Sequence, residues 1–301
     1  MKFIDKLHSP EAQRGTELTQ EIVDSYWIKH EGRYNDFTYQ KRKMAEMIPM
    51  LCSQQENCCC YCMKKLHYED SNGNITLEHV IPNKITEQKW NHDKSNYLKN
   101  DYLKKVVSDE NGSVKPVEIC FEGKVKDNET RITSIPFPHF VSYHNIVVSC
   151  DGCLPLTFKS SQCCNNKRND DFVYPFYFDS DIESKIGYDS HGEFDYDPDD
   201  FDDEKMSLWL KDVLNIDNTY MRRMRALWCK IVKAGYAENE VIAADEDKRM
   251  EIIDDLSAND ESWIFDFKKE GMWKWFIEYS WFYQYYRIKV LSSRQSHSAE
   301  K

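Results

Sequence analysis

Eleven cysteines stand in this chain, and their spacing is the first feature that could do chemistry. Cys59 and Cys62 bracket Cys60 and Tyr61 as a C-x-x-C unit. Two thiolates so spaced in a tight turn can grip one tetrahedral zinc ion. The remaining positions need a second cysteine group, and Cys150 with one of Cys153, Cys163 and Cys164 supplies it. A lone C-x-x-C could equally be a redox pair or chance; the distant second group favours a structural metal. Cys52, Cys120 and Cys229 read instead as small buried apolar residues.

Glu78 and His79 sit side by side in the run Thr76-Leu77-Glu78-His79-Val80-Ile81-Pro82. Histidine can take a proton near neutral pH, and a carboxylate can hold a hard cation. Adjacent residues of a strand point to opposite faces, so one site can use both only where the strand bends or ends. The plainer reading of that pair alone is an exposed strand end. Asn145 lies ahead of the apolar run Ile146-Val147-Val148, and Asn165, Lys167 and Arg168 follow Cys164.

The elements that must position these residues are short. Residues 1–19 read as an irregular lead-in with a turn at Ser9-Pro10. Residues 21–29 carry Ile22, Val23, Tyr26 and Trp27 at helical spacing. Residues 38–55 predict an amphipathic helix with Met44, Met47, Ile48 and Leu51 on one face, bent or divided at Pro49. Residues 71–74 predict a turn, residues 75–81 a β-prone run ended by Pro82, and residues 143–150 a second, buried one. Cys163 and Cys164 lead into a short helix carrying Asn165 and Lys167. Between the two β-prone runs, residues 84–142 read as a surface insertion, with a helix over 97–107, a turn over 108–113, and a hairpin of 117–121 with 125–132 about Gly123.

Composition narrows the class. The 301 residues can bury a sizeable core, and 31% charged residues beside 41% hydrophobic ones suit a globular chain. No apolar run approaches a bilayer span, and the N-terminus lacks the apolar stretch of a signal peptide. A cytoplasmic protein is therefore expected, where thiols stay reduced and zinc is a better use of cysteines than disulfides. Net charge is −12, which sits badly with nucleic-acid binding unless basic residues cluster or a partner supplies the grip.

With these residues in order, the chain resembles the HNH (ββα-metal) endonucleases. The likeness runs over roughly residues 50–172: C-x-Y-C, then L-E-H-x-x-P, then Y-x-N and an apolar run into Ser149-Cys150, then C-N-x-K. Gln55 and the segment Leu214-Asn215-Ile216-Asp217-Asn218 with Arg225 resemble one subgroup, the HNH proteins paired with an ATPase in Septu anti-phage systems and in some retron operons. The resemblance implies an α+β fold: a ββα-metal core stapled by a four-cysteine zinc site, with N-terminal helices and a mainly helical C-terminal region. It implies His79 as general base, Glu78 and Asn165 as ligands of a catalytic Mg²⁺ or Mn²⁺, and Asn145 as the brace of the loop that orients His79. Lys167 and Arg168 would contact phosphate. Cys59, Cys62, Cys150 and Cys164 would hold structural zinc, with the loop after Gly152 as an insertion. Two departures stand out. Asn165 replaces a frequent histidine, and Asn169 replaces the usual glycine, a place where asparagine can also turn left-handed.

The expected organisation is a helical lead-in at 1–56, the nuclease core at 57–172, and a hairpin-plus-helix region at 173–301. In that last region, strands are expected over 173–178, 183–188 and 192–196, with a turn at Ser190-His191-Gly192. Helices are expected over 205–214, 218–234, 238–256 and 271–290, then a polar tail from Ser292. Arg222, Arg223, Arg225, Lys230 and Lys233 read as a solvated helix face, with a DNA-facing surface as the second reading. The aromatic-rich stretch 271–290 is expected to fill a core and to leave some rings for a partner subunit. The function that the resemblance implies is an endonuclease acting on DNA as the effector of an anti-phage complex, controlled by an ATPase partner, with a retron reverse transcriptase and its nucleic acid as further expected partners. The alternatives are a stand-alone restriction-type nuclease and a non-catalytic zinc-binding interaction module.

Overall fold

The computed structural model describes residues 1–35, 37, 45–68, 74–108, 115–153, 162–257 and 267–299. The protein is α+β, with short two-stranded sheets among many helices. It gathers into two compact units. One comprises Met1–Tyr61, Leu66–Asp151 and Asn165–Ser184; the other comprises Cys62–Lys65, Gly152–Cys164 and Lys185–Lys301.

The first unit begins with helix α1, Glu11–Lys29, not with an irregular lead-in. Pro10 stands at its N-cap, where a missing N–H costs nothing, so the Ser9-Pro10 signal marks a helix start. Leu18, Ile22, Val23 and Tyr26 line its buried face together with Gly15 and Thr19. The Thr19 hydroxyl donates to the Gly15 carbonyl and accepts from the Tyr143 N–H. Helix α2 is Met47–Gln54, shorter than expected; Pro49 lies in its first turn, where proline is tolerated. Residues 38–44, Met44 among them, lie outside the described residues, as do most of the turns expected at 71–74 and 108–113.

Strand β1, Ile75–His79, is followed by α3, Glu87–Tyr97, and α4, Asp101–Val107. Thr86 and Asn100 cap the two helices through their side-chain oxygens. Helix α3 is not legible as a separate element in the sequence, because its exposed positions are polar throughout and only Trp90, Asp93 and Tyr97 are buried. The expected hairpin does not form. Strand β2, Val117–Glu118, pairs in parallel with β3, Phe137–Pro138, and residues 124–132 contain no strand. Glu122 and Gly123 are both left-handed, which turns the chain out of any strand pairing there. Strand β4, Ile146–Cys150, is buried along its whole length and pairs antiparallel with β1, His79 opposite Ile146 and Ile75 opposite Cys150. Helix α5, Cys164–Arg168, comes next, and α6, Ile182–Lys185, stands where the start of a strand was expected. The expected strand at 173–178 is instead irregular chain ending in a 3₁₀ turn at Phe176–Phe178, since Pro175 has no N–H for a ladder.

In the second unit, β5, Ile186–Tyr188, and β6, Phe194–Tyr196, form an antiparallel hairpin about the expected turn. Gly192 is required there: its φ is +77°, and a Cβ would lie 2.1 Å from the Arg222 carbonyl oxygen. Helix α7, Asp203–Ser207, runs on into a wider π turn at Leu208–Val213. Helix α8, Thr219–Ala234, is capped by Asn218 and stopped by left-handed Gly235. Helices α9, Glu238–Ile242, and α10, Glu246–Ser257, replace the single helix expected over 238–256; the Asp245 side chain accepts from the Lys248 N–H and restarts the helix. Helix α11, Glu270–Ile277, and helix α12, Trp281–Ala299, complete the unit, and α12 continues through the expected polar tail. Trp273, Trp275, Phe276, Tyr279, Phe282 and Tyr286 are buried, and Trp228 stacks on Phe276 with centroids 4.3 Å apart. No described helix is long and apolar enough to cross a membrane.

Candidate metal and catalytic centre

The knuckle residues Cys59 and Cys62 lie beside turns in which Glu56, Asn57 and Met63 all adopt left-handed backbone. Gln55 anchors the approach to the knuckle against β4. Its Oε1 accepts from the Val148 N–H at 2.9 Å, and its Nε2 donates to the Val148 and Cys58 carbonyls. The Cys60 N–H also donates to the Val148 carbonyl. Val148 is thus fully paired on its outer edge, and Cys150, two residues on, is held at the strand's end.

The Sγ atoms of Cys59, Cys62, Cys150 and Cys164 all lie within 4.8 Å of one another, and all four residues are buried. Tetrahedral zinc with four thiolates places sulfurs about 3.8 Å apart, from a Zn–S bond of about 2.3 Å. The set can therefore hold a structural metal such as zinc, and it is the set expected. Cys153 is exposed and pairs with Gln162 across an isolated bridge. The Cys163 N–H donates to the Gly152 carbonyl at 2.9 Å. The chain thus returns to the point at which it left, and Cys164 falls where the partner of Cys150 is needed.

His79 ends β1. Its Nε2 lies 3.0 Å from the Phe140 carbonyl oxygen, which can only accept, so Nε2 carries the proton and Nδ1 the lone pair. Burial lowers the ring's pKa to about 4; the bond to Phe140 and the charge of Asp170 oppose that shift. The ring is neutral at pH 7. Asn145 is buried and braces the same loop: its amide accepts from the Ile81 N–H and donates to the Ile81 and His139 carbonyls, all at 2.8–3.0 Å. Helix α5 lies along the end of β1, with Asn165 Nδ2 at 3.5 Å from the Leu77 carbonyl. Asn169 is left-handed at φ 52°. Lys167 is exposed.

Two expected roles do not match the structure. Arg168 is buried at 1% exposure and is no phosphate contact. It pairs with the Glu78 carboxylate and donates to the His79, Val80 and Asp171 carbonyls at 2.8–2.9 Å. Glu78, 2% exposed, is turned to the interior, where the Tyr61 hydroxyl also donates to its Oε1 at 3.0 Å. The strand's alternation is the cause: with His79 on one face, Glu78 must take the other. Glu78 therefore does not fit as a ligand of a catalytic Mg²⁺ or Mn²⁺. Among the described residues, no other trio of His, Cys, Asp and Glu gathers besides the four cysteines. Sequence reasoning missed Tyr61, whose only signal is its place inside the knuckle, and Phe140, whose contribution is a backbone carbonyl.

Two of the three arginines of α8 are committed within the fold. Arg225 is buried and donates to the Gly192 and Ile216 carbonyls, and Arg222 forms a two-pronged pair with Asp217. These two tie the hairpin turn and the α8 N-terminus together, and buried Arg225 is not part of the solvated helix face expected. Comparison with protein-family models, curated proteins and solved structures finds no match.

Proposed function

We propose that this chain is an HNH-type endonuclease that hydrolyses DNA phosphodiester bonds, with His79 as general base. The observation that carries the reading is the His79–Phe140 hydrogen bond within a loop pinned by Asn145. It fixes one tautomer and presents a neutral Nδ1 as proton acceptor. A water at Nδ1 would give up its proton as its oxygen attacks phosphorus in line with the departing 3′ oxygen, leaving a 5′-phosphate and a 3′-hydroxyl. A hard divalent ion bound at the phosphate would supply charge stabilisation. With Glu78 committed to Arg168, Asn165 is the member of the expected ligand pair left to offer an oxygen. Exposed Lys167 remains suited to a phosphate contact.

The net charge of −12 supports a controlled effector rather than a nuclease that searches DNA alone. We therefore read the chain as one subunit of an anti-phage complex whose ATPase partner supplies recognition. A second reading, a non-catalytic zinc-binding module, draws on the commitment of Glu78 and the low basicity of His79.

His79→Ala separates the two. Plasmid cleavage with Mg²⁺, by the chain and its ATPase partner together, should fall by roughly 10²–10⁴-fold at unchanged zinc content. Undiminished cleavage would remove His79 from the chemistry, and cleavage by the chain alone would favour the stand-alone nuclease.

A further inference from the structure

Glu78 and Arg168 are charged, buried and joined to the candidate base, yet neither faces a substrate. The connections run in one line from the knuckle. The Tyr61 hydroxyl, between Cys60 and Cys62 in sequence, donates to Glu78 Oε1. Glu78 pairs with Arg168, whose Nη1 also lies 3.3 Å from the Tyr61 oxygen. The same guanidinium donates through Nη1 to the carbonyl of His79 itself and through Nη2 to that of Val80, while Nε donates to the Asp171 carbonyl. Arginine's planar fork alone can serve a carboxylate and three carbonyls from one position; a lysine ammonium has three donors on a single atom. The His79 carbonyl belongs to the last residue of β1, opposite Ile146 of β4, and the Val80 carbonyl follows just past the strand's end. Arg168 thus satisfies two main-chain acceptors at the end of β1 from one guanidinium.

We infer that Tyr61, Glu78 and Arg168 form a positioning clamp that sets the backbone of His79 against α5 and the zinc knuckle, and that Glu78 is not a ligand of the catalytic ion. The inference rests on the nuclease reading of His79 for its kinetic consequence, and on geometry alone for its structural one. Glu78 supplies the negative charge that keeps Arg168 in the interior; Tyr61 supplies the donor that keeps Glu78 turned inward. Losing any of the three lets His79 shift relative to the phosphate, which lowers turnover without changing how tightly an ion is held.

The test compares Glu78→Gln, Arg168→Lys and Tyr61→Phe in the full chain, with zinc per chain measured for each. Plasmid cleavage by each chain together with its ATPase partner is followed across a MgCl₂ titration. Glu78→Gln should lose about 10–100-fold in kcat while its half-activating Mg²⁺ concentration stays within about twofold of wild type. A rise of roughly tenfold or more in that concentration makes Glu78 a ligand and overturns the inference. Arg168→Lys should lower kcat; a raised KM for DNA at unchanged kcat would restore Arg168 to phosphate binding and overturn it too. Tyr61→Phe removes one hydroxyl, folds where the others fail, and should lower kcat with zinc retained; wild-type kcat would exclude it from the clamp.

A double-mutant cycle on urea unfolding, Glu78→Gln with Arg168→Met, reads the clamp without any activity. Strong coupling is expected, and additive effects overturn the clamp. If wild type cuts no DNA while the cycle shows coupling, the nuclease reading has failed and the clamp stands.

Discussion

At the scale of single residues, three histidines of the first unit show how burial sets chemistry. His79, His139 and His144 are each held at about 4 by loss of solvent, against an ordinary value of 6.5. His139 is the clearest case: Nδ1 accepts from the Cys120 N–H and Nε2 donates to the Pro82 carbonyl, so both nitrogens are used by the neutral ring. In the unfolded chain this imidazole takes a proton near 6.5, but in the folded one only near 4. Between those values the unfolded chain binds more protons, so stability is full above 6.5 and falls as pH drops toward 4. Each such histidine contributes a slope of up to about 1.4 kcal/mol per pH unit. Urea unfolding at about pH 7, 6 and 5 should show that decline, and His139→Gln should remove about one proton's worth of slope. An unchanged slope would mean that His139 protonates freely in the fold.

At the scale of elements, the first unit depends on how closely α1 approaches Tyr143. A Cβ on Gly15 would sit 2.3 Å from the Tyr143 ring, closer than any real contact. Gly15→Ala, normally favourable inside a helix, should therefore destabilise by about 1–3 kcal/mol through forced repacking. Thermal unfolding beside a Gly15→Ala/Tyr143→Leu double variant checks the cause, since the smaller side chain should recover part of the loss. The elements also show where sequence reading succeeds. Helix α8 is legible because Asn218 and Gly235 mark its ends and its apolar face repeats at helical spacing. Strands β1 and β4 are legible from β-branched runs. Helix α3 and the parallel pairing of β2 with β3 are not: the first has few apolar positions, and the second joins residues that no local pattern links. Helix α1 is half legible, because proline at a helix start looks like proline in a turn.

At the scale of the whole molecule, four cysteines spread over residues 59–164 come within 4.8 Å of one another. A metal closing so long a stretch of chain should contribute heavily to stability. Native mass spectrometry is expected to show one zinc per chain. Stripping it with a chelator should lower the unfolding midpoint by roughly 10 °C, as loss of a tightly bound ligand implies. A metal-free chain with an unchanged midpoint would argue against a structural metal. The aromatic-rich C-terminal stretch, expected to leave rings for a partner, packs most of them internally. Trp281, Tyr283 and Tyr285 are the ones left partly exposed.

Local rules of spacing and side-chain chemistry reach as far as the inventory: which cysteines are spaced for a metal, where a histidine ends a strand, and which asparagines could brace or ligate. Direction and partnership came from the packed fold. It selected Cys164 over Cys153 and Cys163 by bringing the chain back to Gly152, turned Glu78 inward, and buried Arg168 against it. Strand alternation already dictates that Glu78 and His79 part company. Only the neighbour packed on each face determines which side chain meets a charge and which meets a carbonyl.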